Sequence, residues 1–171
     1  MTREESILFQ FLQGKNTDIY GRTFSDILSH KGDKKWLEYT HNYIQWIFPL
    51  RKYSSAAPSI PLTDEILCSA IHDKDIRRNI YDAFLMMVDF YGLKIEEDGR
   101  ILPNCKQSEM HWLTPFNHNF LRITRIIGCL SIFHFSKEAE NFYQAMKSIA
   151  EKNKWFCAKS LIYWKDALSW K

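Results

Sequence analysis

Along most of this 171-residue chain the apolar positions recur at intervals of three and four, the spacing of one face of an α-helix. Ile7, Leu8, Phe11 and Leu12 make such a face behind Thr2 and Glu5, which stand at capping-box spacing, and Gly14 can close the helix. After a Gly, Asn and Asp loop over 14–22, Phe24, Ile27 and Leu28 predict a second short helix over 24–30, ended by Gly32. Asp33 then caps a helix predicted over about 34–48. On a helical projection Trp36, Leu37, Thr40, Tyr43, Ile44, Ile47 and Phe48 fall on one broad arc, bordered by Tyr39 and Trp46 on one side and His41 on the other. Glu38, Asn42 and Gln45 fall outside it. A helix this nearly apolar all round belongs in the middle of a domain, covered by other helices. Pro49 disfavours helical geometry at Phe48 and ends it there.

Residues 52–62, with Pro58 and Pro61, predict an irregular connection before Thr63, which caps a short helix with Asp64 and Glu65 in its first turn. From about Asp73 to Tyr91 a longer helix buries Ile76, Ile80, Ala83, Phe84, Met87, Val88 and Tyr91 and exposes Arg78, Asp82 and Asp89; Gly92 stops it. The alternation over 93–102 around Asp98-Gly99 predicts a small β-hairpin. One or two helical turns over 106–113, a strong helix over 117–135, an amphipathic helix capped by Ser136, and a last helix from Trp155 to about Leu168 complete the pattern. Without repeats or low-complexity segments, residues 1–171 are expected to form one all-α domain of seven to eight helices around the aromatic-rich helix at 34–48.

Composition sharpens this picture. With 12 Phe, 8 Tyr and 6 Trp against 6 Gly and 5 Pro, the chain favours long regular elements and an aromatic core. A net charge of +3 gives no bulk attraction to nucleic acid, so any cationic site must be local. Cys68, Cys105, Cys129 and Cys157 are far apart, with no zinc-ligand spacing, and read as reduced thiols of a soluble cytoplasmic protein. The longest apolar run, 126–133, is broken by Gly128 and Ser131 and falls far short of the ~20 residues of a membrane span.

The chemistry concentrates in two stretches. One is His41 to Arg51, where His41 and Gln45 stand one turn apart and Arg51 follows the proline stop. The other runs from Asn117 to Ile127, where Arg122 and Arg125 project on the same side of a helix among apolar residues, with His118 one turn before Arg122. No acidic residue occurs between Glu109 and Glu138. Guanidiniums in an oily setting need a carboxylate from another helix, backbone carbonyls or a bound anion. Asp82, Asp89 and Glu38 are the internal candidates; a ligand's carboxylate or phosphate is the external one, since the planar fork grips either bidentately. No catalytic triad order, Gly-rich phosphate loop, paired carboxylate or cofactor motif accompanies them. Most tryptophans belong to the core; Trp164 and Trp170, near the C-terminus, are expected to be exposed and to mark a partner surface.

Trp36-Leu37-Glu38, the run His41 to Arg51, Pro61-Leu62-Thr63, Phe90-Tyr91-Gly92-Leu93 and the run His118 to Ile126, in that order, closely resemble the conserved region of the opioid growth factor receptor family over about 21–149. The resemblance implies a receptor-like, non-enzymatic module; vertebrate members are described as receptors for the enkephalin pentapeptide associated with the nucleus and its envelope. The loop after Arg51 departs from the vertebrate pattern, with Lys52 in place of an acid and small residues in place of a Trp-His pair. Two functions are weighed. In the first, Arg122, Arg125, Arg51 and His41, with Gln45 and His118, form a cationic cleft for a short peptide or an acidic partner segment. In the second, the same residues serve a small enzyme or a nucleotide- or phosphate-binding protein. Neither metal nor cofactor is called for, and no feature sets an oligomeric state.

Overall fold

A computed structural model describes residues 1–154, 156 and 158–171. Trp155 and Cys157, and with them the expected start of the last helix, lie outside the described residues. The chain is all-α with a two-stranded hairpin, and it divides into two compact units, Met1–Phe90 and Tyr91–Lys171.

The first unit holds α1 (Arg3–Leu12), α2 (Phe24–Leu28), α3 (Lys34–Tyr39), α4 (Ile44–Ile47), α5 (Asp64–Ala70) and α6 (Lys74–Phe90). Local chemistry sets most of these boundaries. The capping box of Thr2 and Glu5 is formed, Thr23 and Asp26 make another on α2, and Asp33 and Thr63 accept from Trp36 N and Ile66 N. Asp73 accepts from the backbone of Asp75 and Ile76 at the start of α6 and from Gln13 Nε2 at 2.7 Å. Burial works to raise its pKa, but these three donors outweigh it and hold the carboxyl below the usual value. Asn79 Nδ2 donates to Leu12 O at 2.8 Å, closing the C-terminal end of α1. Inside the unit Phe11 packs on Phe24 and meets the edge of Trp46 at 5.3 Å, while Tyr43 OH donates to Leu37 O at 3.1 Å.

The helix expected over 34–48 is two helices, which raises the number among the described residues to nine. The break has a tertiary cause. In a continuous helix Asn42 O would accept from Trp46 N; here it accepts from Arg22 Nη2 at 3.2 Å, and Asn42 Oδ1 accepts from Arg22 Nη1 at 3.0 Å. Trp46 N turns to Tyr43 O instead, at 3.0 Å, and Thr40 is extended at ψ 117. Arg22 is itself fixed by buried Asp18, whose Oδ2 accepts Nε at 2.8 Å and Nη2 at 2.6 Å. The core expectation survives the break: Leu37, Tyr43, Ile44, Trp46, Ile47 and Phe48 are all buried. Pro49 stops α4 as expected.

The second unit holds β1 (Leu93–Ile95), β2 (Ile101–Pro103), a single 3-10 turn (Gln107–Glu109), α7 (Asn119–Ile132), α8 (Ser136–Glu151) and α9 (Ala158–Ala167). The strands pair antiparallel with Ile95 opposite Ile101, closed through Gly99 at φ +86. Gly92, at φ +73, turns the chain where α6 ends, and a Cβ there would run into Cys105 Sγ. α7 packs against both α8 and α9. Trp112 is buried and donates to Tyr91 O at 3.0 Å. Trp164, expected at the surface, is also fully buried and donates to Phe120 O at 3.0 Å; Trp170 lies against Gly128, which leaves no room for a side chain. Neither ring is the open partner surface expected for it, because α9 folds back and lays its apolar face along α7.

The join between α7 and α8 replaces the expected Ser136 cap with a Schellman turn. Phe135 N donates to Leu130 O at 2.8 Å and His134 N to Ser131 O at 3.1 Å, with His134 at φ 59. A non-glycine residue in this region pays a steric penalty. Exposed His134→Gly should therefore raise the unfolding free energy by about 1 kcal/mol, read as a higher thermal midpoint. A lower midpoint would show that the histidine ring supports the turn.

Candidate functional site

The expected site residues fall in both units. In the first, His41, read as a border of the apolar arc, is exposed, because the interruption between α3 and α4 turns it away from that arc. Gln45, placed by periodicity on the polar side, is instead 3% exposed, and its Oε1 has no hydrogen-bond partner among the described residues. Arg51 is exposed and pairs with Asp64, Nη1 to Oδ1 at 2.6 Å, across the neck of the irregular connection.

In the second unit the start of α7 gathers three of the residues singled out. His118 is the exposed residue before the helix and makes no side-chain cap. Arg122 is 5% exposed one turn on, and Arg125 is half-buried a turn later. Burial pulls the Arg125 guanidinium below its usual pKa, against an opposing effect from Cys129; the buried Cys129 thiol is pushed up, mainly by the same loss of solvent.

The residue that sequence reasoning missed is Asn119. It is fully buried and forms the hub of the cluster. Its Oδ1 accepts from Arg122 Nη1 and from Tyr91 OH, each at 3.4 Å, and its Nδ2 donates to Asn117 Oδ1 at 2.8 Å and lies 3.4 Å from His118 Nε2. Asn117 Oδ1 also accepts Asn119 N at 2.9 Å, so one asparagine caps the helix and orients the next. The available signal was Asn-x-Asn before a helix with arginine three residues later, which places an amide and a guanidinium on one face. The amide oxygen thus holds one nitrogen of the Arg122 guanidinium in place.

Among the described residues no group of three or more His, Cys, Asp or Glu could hold a metal ion, and no helix is long and apolar enough to cross a membrane. Cys68, Cys105 and Cys129 are free thiols.

The model of the opioid growth factor receptor (OGFr) conserved region matches residues 2–164 of this chain, further at both ends than the motifs suggested. Opioid growth factor receptor-like protein 1 of Xenopus tropicalis is 36% identical over 114 residues, 64% of this chain and 22% of that protein. The opioid growth factor receptor of Rattus norvegicus is 34% identical over 131 residues, 72% and 22% of the two chains, and that of Homo sapiens 32% over 130 residues, 72% and 19%. The match spans about a fifth of the length of these relatives. No solved structure matches.

Proposed function

From the premise that this chain belongs to the opioid growth factor receptor conserved-region family, we propose that it is a non-enzymatic recognition module that binds a short peptide or an acidic segment of a partner protein. Its relatives are receptors by name. The observation that carries the reading is the start of α7: Arg122, nearly solvent-free, donates to the amide oxygen of Asn119, and Arg125 follows one turn on along the same helix. Charge-assisted hydrogen bonds from a preoriented guanidinium to a carboxylate are among the strongest polar contacts a protein makes. In low-dielectric surroundings they gain further.

Titration calorimetry with an enkephalin pentapeptide and with a generic glutamate-rich peptide tests this. Saturable heat is expected with at least one of them. Arg122→Lys, which keeps the charge but loses the fork, should weaken that binding by about tenfold or more while circular dichroism stays unchanged. Absence of heat with both peptides, or equal affinity of the variant, would overturn the reading. So would a nucleotide or phosphate found by mass spectrometry in the purified protein, since that places a different anion on the arginines.

A further inference from the structure

We propose a second, separate binding site in the groove between β2 and α8, which takes an extended segment of a partner protein carrying one apolar side chain between two carboxylates. The groove has a volume of about 310 Å³ and lies wholly within the second unit. One wall is the strand, where Leu102 is 37% exposed; the floor is Ala145 and Ile149, so a small residue stands where the helix would otherwise fill the depression. The helical wall is a single stripe: Asn141, Ala145, Ser148 and Lys152 follow one another at spacings of three and four, which keeps them on one face.

Charge decides what fits. Arg100 and Lys152 line the groove, and no carboxylate does. Arg100 donates Nε–H to Asp98 Oδ2 at 2.6 Å, which leaves its two terminal nitrogens without a protein partner among the described residues. Lys147 is paired with Glu151, but Lys152, next along, makes no ion pair among the described residues. Asn141 is already engaged with Gly99 O at 2.8 Å and so fixes the strand-turn end of the groove, near Arg100. From Asn141 to Lys152 the helix rises about 16 Å. In an extended strand alternate side chains share one face, and the first and fifth residues lie roughly 13 Å apart. Acid, spacer, apolar, spacer, acid therefore sets two carboxylates toward the two cations with the apolar group over Ala145.

The test uses the whole chain and a fluorescein-labelled Glu-Ser-Leu-Ser-Glu peptide, blocked at its C-terminus, in fluorescence polarisation. Saturable binding is expected, weakened by about tenfold or more in Ala145→Arg, which fills the floor, and in exposed Lys152→Glu, which cannot disturb the core. Replacing one terminal glutamate of the peptide by lysine, tried at either end, should restore binding to Lys152→Glu. All of these measurements are made in the Arg122→Lys background, where the arginine site on α7 is weakened, so that this site and that one fail independently. Equal binding of the Gln-Ser-Leu-Ser-Gln peptide, failure of both charge-swapped peptides, indifference to Ala145→Arg, or absence of saturable binding in that background would each overturn the proposal.

Discussion

Replacing Trp46 by alanine should lower the unfolding free energy by about 3 to 5 kcal/mol, the range for losing a large aromatic from a closed core. The indole is 1% exposed and meets the ring of Phe11, which in turn packs on Phe24, so truncation opens a cavity between α4 and α1 and loosens the ring that seats α2. Chemical denaturation reads the effect as a fall in midpoint at constant slope. A loss under about 1 kcal/mol would mean that the site collapses without cost and that the ring is no keystone. Trp46→Phe separates packing from polarity. Trp46 Nε1 is buried without a hydrogen-bond partner among the described residues, so phenylalanine removes an unsatisfied donor along with part of the volume. Its cost should be far smaller than alanine's.

Asp18→Ala is the second large effect. Asp18 accepts from Tyr20 N, Arg22 N and the Arg22 guanidinium, and its side chain is solvent-free. Breaking a buried ion pair from one side strands the other charge and costs several kcal/mol; about 3 kcal/mol is expected here, at the low end, because the Arg22 side chain keeps 20% exposure. The double replacement Asp18→Ala with Arg22→Met should cost less than the sum of the single ones, since no charge is then left over. Additive losses in a denaturation cycle would show that the two side chains act separately.

The difference between these two residues explains what could be read from the sequence. Trp46 was legible because a run of large apolar residues between a cap and a proline has only one physical home. So were the elements whose signals lie within a few residues: the capping box at Thr2, Asp33, Thr63, the Asp98-Gly99 turn and the stop at Gly92. The break between α3 and α4 was not legible, because it depends on Arg22 reaching twenty residues along the chain to take the carbonyl of Asn42. Periodicity assumes that every backbone carbonyl is free for the helix, and this one is not. Trp164 was misjudged for a related reason: nearness to the chain's end says nothing about docking, and the apolar face of α9 lies on α7. At the arginine cluster the cations were evident from charge pattern alone. Their orienting amide, Asn119, was not, since an asparagine before a helix ordinarily reads as a cap and nothing more.

The neck of the irregular connection has a consequence for how this family can vary. Leu62 N donates to Leu50 O at 2.9 Å, and Arg51 pairs with Asp64, so residues 51–61 leave the body and return to it at one clasped point. Closing a longer excursion costs only about 0.6 kcal/mol for each doubling of its length. The segment is therefore free to diverge in length and chemistry. Evolution can rewrite it, or an engineer can graft a new epitope into it, while the aromatic interior beneath registers no change.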